Sequence, residues 1–205
     1  MRGLIAMFEV QLRLVRAWRA TVGMIVAVAT MAAATAGTAS AGDAAVEYMR
    51  RAANELINAQ RQGSPEAFAR VIESYGHVPA IGLGALGSYR AGLSASDRGS
   101  FYKGLARFIG RYAANEAPKY PVARAEFASG AIRDGRSVLV DSRIVLRDGS
   151  AYDVRWMLVP HGRSFKVRDA QVLGFWVSPF LQRLFENYIA ENGGKVRALV
   201  IALSR

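Results

Sequence analysis

The sequence predicts an α+β domain in which helices pack on a curved, four-stranded antiparallel sheet. Up to Pro121, apolar residues recur at helical spacing. From Val122 the pattern changes to alternation, and Asp-Gly and other Gly turns separate the apolar runs. Helical periodicity returns at Ser178 and continues to the end of the chain. This order, in which a sheet of short-turn strands lies between two helical parts, is typical of a layered α+β fold. The C-terminal helices are expected to close the resulting cone.

Six helical segments are predicted, five of them with clear amphipathic periodicity. They cover residues 43–62, 67–75, a short piece within 76–87, a segment from the 93–97 turn to Ala114, 178–192 and 195–203. Ser64 is expected to cap the second helix, because Pro65 follows it at the first helical position. The third segment is the least regular, since Pro79 and several glycines interrupt its apolar residues.

Four strands are predicted between the two helical parts. They cover residues 122–131, 138–146, 152–159 and 165–173, with turns at 133–136, 148–149 and 160–162. Because such short turns join successive strands as hairpins, the sheet should be an antiparallel meander. There is no internal repeat or low-complexity linker, so residues 42–205 are expected to form one domain.

The first 41 residues have the pattern of a cleavable secretory signal peptide. Three arginines between residues 13 and 19 precede an uncharged run rich in Ala, Val and Met, which ends in Ala39-Ser40-Ala41. An uncleaved membrane anchor is the alternative, although the run is short for a span and its Ala and Thr residues insert weakly. The sequence therefore predicts export to the periplasm.

Composition and charge exclude several classes of function. The chain has no Cys, which rules out disulfides and thiolate metal sites. Its net charge is +11, of which +8 remains on residues 42–205. No basic run is interleaved with aromatic residues, so nucleic acid is not expected as a partner. Anionic lipid headgroups, an acidic protein partner or a solvated arginine surface would each account for the charge. The arginines concerned, expected on the solvent face of the sheet, are Arg143, Arg147, Arg155 and Arg168.

One face of the predicted sheet is strongly apolar, and the helices offer a second apolar surface opposite it. Such surfaces either pack shut, as in an interaction module with a closed core, or enclose an apolar ligand. The hydrophobic fraction of 52% favours a cavity. The candidate lining residues are Leu86, Tyr89, Phe101, Leu105 and Phe108 from the helices and Val138, Val140, Ile144, Val154, Trp156, Leu158, Phe165 and Val167 from the strands.

No pattern joins a nucleophile to a base. His77 and His161 lack a neighbouring signature and are interpreted as surface residues. Asp169 shares the parity of Phe165 and Val167, so a regular strand would turn it inward; a bulge or an arginine pair is the favoured alternative. A small cone-shaped enzyme with Asp169 or His77 as acid/base stays the second hypothesis, while the first expects no enzyme, no cofactor and no metal.

The order of several motifs resembles the toluene-tolerance (MlaC) family of periplasmic phospholipid-binding proteins over residues 45–203. In the helical part, Leu86-Gly87-Ser88-Tyr89-Arg90 is similar to the family's Leu-Gly-x-Trp-Arg. The strands show Val154-Arg155-Trp156-Met157-Leu158, a turn, Phe165-Lys166-Val167-Arg168-Asp169 and Gly174, similar to Val-x-Tyr-x-Leu, Trp-Lys-Val-x-Asp and Gly. The tail is also similar, with a helix, Gly193-Gly194, Leu199 and Leu203.

The resemblance implies an NTF2/cystatin-like cone with a lipid pocket between sheet and helices. It also implies phospholipid cargo, an inner-membrane ABC transporter with a lipid-binding ring as partner, and an outer-membrane partner. The segments Gly174-Phe175-Trp176-Val177 and Leu181-Gln182 depart from the family's Gly-Val-Ser-Leu and Tyr-Arg. These bulkier side chains leave the cargo open between a phospholipid and a hopanoid, a rigid polycyclic lipid.

Overall fold

The computed structural model describes residues 41–205, and helices take up both ends of this range. The α-helices are α1 Ala41–Gln62, α2 Pro65–Tyr75, α3 Val78–Ala85, α4 Arg98–Glu116, α5 Val177–Glu191 and α6 Val196–Ser204, with 3-10 turns at Gly87–Gly92 and Ala117–Lys119. Ser64 caps α2 as expected, since its Oγ accepts the Ala67 N–H at 3.3 Å and Pro65 follows. The predicted signal peptide lies outside the described residues except for Ala41.

The strands form one antiparallel sheet in the order β1-β3-β4-β5-β6, with β2 paired to β3. They are β1 Val122–Phe127, β2 Ile132–Asp134, β3 Ser137–Leu146, β4 Ala151–His161, β5 Ser164–Val172 and β6 Phe175–Trp176. The α+β class is confirmed, with six strands in place of four. The first predicted strand, 122–131, is shorter and ends at Phe127, and β2 extends into the segment 133–136 that was predicted as a turn. Leu173 and Gly174, with φ of 53° and 85°, then turn the chain tightly into β6.

The helices form two groups around the sheet. Helix α1 lies against the inner face of the sheet, defined as the face that carries Val138, Val140 and Leu158. The remaining helices pack mainly on one another, and α4 contacts α2 closely at Gly110. A Cβ at Gly110 would lie 2.5 Å from the Pro65 carbonyl oxygen, so only glycine allows the backbones this approach. None of the helices within residues 41–205 has the length and apolar character to span a bilayer.

Gln60 fixes the passage from helices to sheet. Its Nε2 donates to the carbonyl oxygens of Ala117 and Tyr120 at 2.9 and 3.0 Å, and its Oε1 accepts the Val122 N–H at 2.9 Å. One side chain on α1 thereby bonds three backbone groups, of which the Ala117 carbonyl also accepts the Tyr120 N–H of the 3-10 turn. This clip sets the start of β1, and with it the position of Tyr120 beside the sheet.

A bulge in β5 changes which residues face inward. Val167 pairs with Leu158 whereas Asp169 pairs with Met157, so Arg168 is the extra residue. The expectation from a regular strand, with Asp169 turned inward, is therefore wrong, and the favoured bulge is present. The bulge also corrects Arg168, which was expected on the solvent face: its guanidinium lies against α3, 3.4 Å from where a Cβ of Gly84 would be.

Arg143 and Arg155 lie on the outer face, as the alternation predicts, whereas Arg147 lies in the turn after β3 and not on a strand. Arg155 and Asp141 form a bidentate pair across β3 and β4, with Nε–Oδ1 at 2.6 Å and Nη2–Oδ2 at 2.8 Å. This pairing lowers the pKa of the Asp141 carboxyl. Arg143 pairs more loosely with Asp153 at 3.5 Å. The outer face thus carries cross-strand ion pairs and leaves the inner face apolar.

Candidate functional site

The helices build an apolar core of their own. Leu86, Phe101 and Leu105 lie at its centre with 0% exposure. Tyr89 and Phe108 pack against this helical core but are only half-buried. The five helical residues predicted to line a pocket therefore lie together, yet three of them are fully enclosed by protein and have no surface left for a ligand.

Helix α1 covers one end of the inner face of the sheet. The cluster there consists of Ala45, Val46, Tyr48, Met49 and Ala52 from α1 with Val138, Val140 and Leu158 from the strands. Phe165 and Val167 pack against it, and the Phe165 ring meets that of Tyr48 edge-on with centroids 6.1 Å apart. The protein closes this end of the sheet with its own helix.

The other end of the inner face has a different environment. Its buried residues Ile144, Leu146 and Val154 form what we call the sheet cluster. Within residues 41–205, the apolar side chains packed against the sheet cluster come from the strands and from one residue just before β1. They are Tyr120, Val122, Ala125, Tyr152, Trp156, Ala170 and Val172. The three buried side chains are only 4–8% exposed, and within residues 41–205 no helix contributes an apolar side chain to the sheet cluster.

The helical core and the sheet cluster are separate apolar clusters. In the described part of the chain, no apolar strand residue belongs to the helical core or packs against it. Trp156 and Tyr152 on the sheet and Phe108 on α4 are all half-buried, although aromatic side chains of this size are usually well covered. At the sheet edge, Phe175 is 63% exposed and pairs with Val172, which places both side chains on the inner face. These apolar surfaces could be covered by a ligand.

Two hydrogen bonds fix the aromatic surface of the sheet. The Trp156 indole N–H donates to Ser142 Oγ at 2.9 Å, and Ser142 Oγ donates to the Val154 carbonyl at 3.1 Å. The indole therefore has its polar atom satisfied by the sheet and presents an apolar ring. Burial raises the pKa of the Tyr152 phenol, with a further contribution from Tyr120 beside it. Poor solvation of this kind suits an apolar ligand.

The strand residues predicted to line a pocket divide between these two environments. Ile144 and Val154 belong to the sheet cluster, Val138, Val140 and Leu158 belong to the closed end, and Trp156 contacts both. The sequence set missed Leu146, Tyr152, Ala170 and Val172. Alternation along β3 and β4 could have indicated Leu146 and Tyr152, whereas Ala170 and Val172 face inward only because of the bulge.

The candidate catalytic residues have structural roles. Asp169 Oδ1 accepts the N–H groups of Ala170 and Ser178 at 2.8 and 3.1 Å, which holds a carboxylate at the start of α5. His77 Nδ1 accepts the Ala80 N–H at 3.3 Å and caps α3. Neither residue contacts a nucleophile or an acid/base partner in the described hydrogen bonds. Among residues 41–205, no cluster of His, Asp and Glu is suited to a metal ion.

The family model of the MlaC protein matches residues 40–205. Because this match spans most of the sequence, the chain belongs to the MlaC family. A solved structure described as the phospholipid-binding protein from Ralstonia solanacearum in complex with a phospholipid is similar, with a TM-score of 0.61 and 18% identity. The match covers 78% of this chain and 94% of that one, and at this identity it shows a common fold. No curated protein matches the chain in sequence.

Proposed function

We propose that this protein is a non-enzymatic, periplasmic lipid carrier that encloses acyl chains between its sheet and its helices. The observation that carries the proposal is the sheet cluster, whose apolar partners within residues 41–205 come from the sheet and Tyr120 alone. Membership of the MlaC family and a shared fold with a phospholipid-binding protein support the same reading. The proposed lining is narrower than the predicted set: Ile144, Val154 and Trp156, joined by Leu146, Tyr152 and Val172 on the sheet and Phe108 opposite.

Enclosure supplies the affinity. Each buried methylene contributes about 0.8 kcal/mol, so two long acyl chains give a gross term on the order of 20 kcal/mol. Net affinity is far smaller, because the bilayer is an equally apolar competitor and ordering costs remain. Release therefore requires a docked partner that changes the shape or exposure of the site. We propose an inner-membrane ABC transporter with a lipid-binding ring and an outer-membrane complex as the two partners.

The cargo class is a phospholipid, with a hopanoid as the alternative. The half-buried rings of Trp156 and Tyr152 would contact either an acyl chain or a polycyclic skeleton. The phospholipid is preferred because the related solved structure holds one. The hopanoid stays open because Phe175 and Trp176 replace the smaller residues that the family carries there.

Solvent extraction of the purified protein, followed by lipid mass spectrometry, tests the proposal. Residues 42–205 exported by a bacterial host should carry about one lipid per chain, since an apolar site of this kind refills during expression. An exported protein of similar size, purified alongside, controls for adventitious lipid. Lipid at control level, together with a crystal structure in which a helix covers the sheet cluster, would contradict the proposal. The mass of the extracted species distinguishes a phospholipid from a hopanoid.

A further inference from the structure

A cleft that is lined in part by both histidines of the chain lies away from the sheet cluster. Its volume is 790 Å³. It is bounded by the end of α2, the start of α3, the beginning of α4 and the β4–β5 hairpin. The residues that line it are Glu73, Gly76, His77, Val78, Pro79, Ser96, Gly99, Ser100, Tyr102, Lys103, His161 and Lys166. None of them belongs to the lining proposed for the lipid, so the cleft needs a separate explanation.

The charge of the cleft is positive. Its lining includes two lysines, Lys103 on α4 and Lys166 on β5, and one acidic residue, Glu73. Lys166 is held in place because its Nζ donates to the Ser74 carbonyl at 2.5 Å, and an ammonium group has two further N–H donors. Two lysine charges held on different elements of one cleft attract an anion that can reach both.

The histidines add oriented donors. His77 Nδ1 accepts the Ala80 N–H, so the proton of the neutral ring is on Nε2, which is free to donate. The rings of His77 and His161 lie edge to face with centroids 5.7 Å apart. The hydroxyl groups of Ser96 and Ser100 line the same space. A lining with ammonium, imidazole and hydroxyl donors suits an anion with several oxygen atoms better than a single carboxylate.

We propose that this cleft binds a phosphate group, either free or as the headgroup phosphate of a lipid. Lysine binds phosphate as a point charge, and the volume leaves room for the group to which the phosphate is attached. Glu73 and the openness of the cleft to solvent keep the affinity modest and dependent on salt. The cleft shares no residue with the proposed lipid lining, so the phosphate site and the lipid carrier function can be tested separately.

NMR spectroscopy of the two histidine rings tests the site directly, because His77 and His161 are the only histidines of the chain. Sodium phosphate and water-soluble dihexanoyl phosphatidylglycerol are titrated separately at constant pH and ionic strength. His161→Gln assigns the two signals. Lys103→Gln removes one lysine charge from the cleft, and Lys195→Gln, an exposed lysine outside it, is the matched control. Circular dichroism confirms that each variant is folded.

Saturable shifts of both rings are expected, with Kd about tenfold higher in Lys103→Gln and unchanged in Lys195→Gln, as for the loss of one charge-assisted contact. Saturation by inorganic phosphate assigns the site to free phosphate, and saturation by the lipid alone assigns it to a headgroup; both outcomes support the proposal. It is overturned if neither probe saturates, or if the two lysine variants weaken binding equally, since that would be general charge attraction.

Discussion

Substituting Val154 by Trp should reduce lipid binding while the protein stays folded. Val154 lies in the sheet cluster with 4% exposure, and its apolar neighbours in the described chain come from the sheet and Tyr120. A larger side chain there extends toward the space that we assign to the lipid. Leu105→Trp is the matched control: Leu105 has 0% exposure, and a Cβ at Gly82 would already lie 3.0 Å from its Cδ2.

The two variants should differ in both affinity and stability. If the indole displaces roughly three methylenes of an acyl chain at about 0.8 kcal/mol each, the binding free energy falls by about 2.4 kcal/mol, which is about 50-fold in affinity. Leu105→Trp overpacks the helical core and should cost roughly 1–3 kcal/mol of unfolding free energy. For a domain of this size, that lowers Tm by about 2–4 °C per kcal/mol. Val154→Trp should change Tm by less than about 3 °C, because the proposed function places the lipid, and no other part of the protein, beside Val154.

Lipid content per chain and thermal melting, measured on the same delipidated and reloaded samples, separate the two effects. Loss of lipid with a stable fold in Val154→Trp, and loss of stability in Leu105→Trp, would support a cavity beside the sheet cluster. The reasoning is refuted if Val154→Trp melts as low as Leu105→Trp and keeps wild-type lipid content. That result would mean that Val154 lies in a closed core.

Three further variants test the framework around the site. Gln60→Ala should cost about 2 kcal/mol in urea unfolding, because the Tyr120 carbonyl and the Val122 N–H lose their bonds to the Gln60 side chain. Gly110→Ala should cost about 3 kcal/mol or more of unfolding free energy, since its Cβ would meet the backbone of α2. Its control is Gly99→Ala on the same helix, where the Cβ meets nothing and the substitution should stabilise the protein by roughly 0.5–1 kcal/mol. Asp141→Asn should cost less than about 1 kcal/mol at neutral pH, because the pair with Arg155 is two-fifths exposed. The pairing lowers the pKa of Asp141 in the folded protein. The contribution of the ion pair to the unfolding free energy is therefore present above the pKa of Asp141 in the unfolded chain and is lost as pH falls through the pKa in the folded protein. The unfolding curves of variant and wild type should then converge in acid.

Local rules in the sequence predict the elements well, and long-range packing decides the site. The Ser64 cap, the hairpin turns and the outer-face position of Arg155 all follow from spacing and residue type. Alternation also indicates the apolar parity of β3 and β4. Alternation cannot indicate which part of that face α1 covers. Val140 packs against α1 and Ile144 does not, and this difference depends on contacts between distant segments of the chain.

The bulge at Arg168 is the second limit. A one-residue insertion in β5 exchanges the faces of every residue after it, so Asp169 moves outward and Val172 moves inward. The only sign of the bulge in the sequence is that a regular strand would turn the Asp169 carboxylate inward, where it is costly to bury without a partner. Because of the bulge, Ala170 and Val172 face the candidate site and Asp169, which a regular strand would have turned toward it, does not.

Quenching of Trp156 fluorescence by a phospholipid brominated on its acyl chain tests the central claim most directly. In residues 42–205 with Trp176→Phe, Trp156 is the remaining tryptophan. Its half-buried ring lies between the sheet cluster and the end covered by α1, so bound acyl chains should contact it. The account predicts strong, saturable quenching by the brominated lipid and none by its unbrominated form. Bound lipid that leaves the Trp156 emission unchanged would contradict it and place the lipid elsewhere.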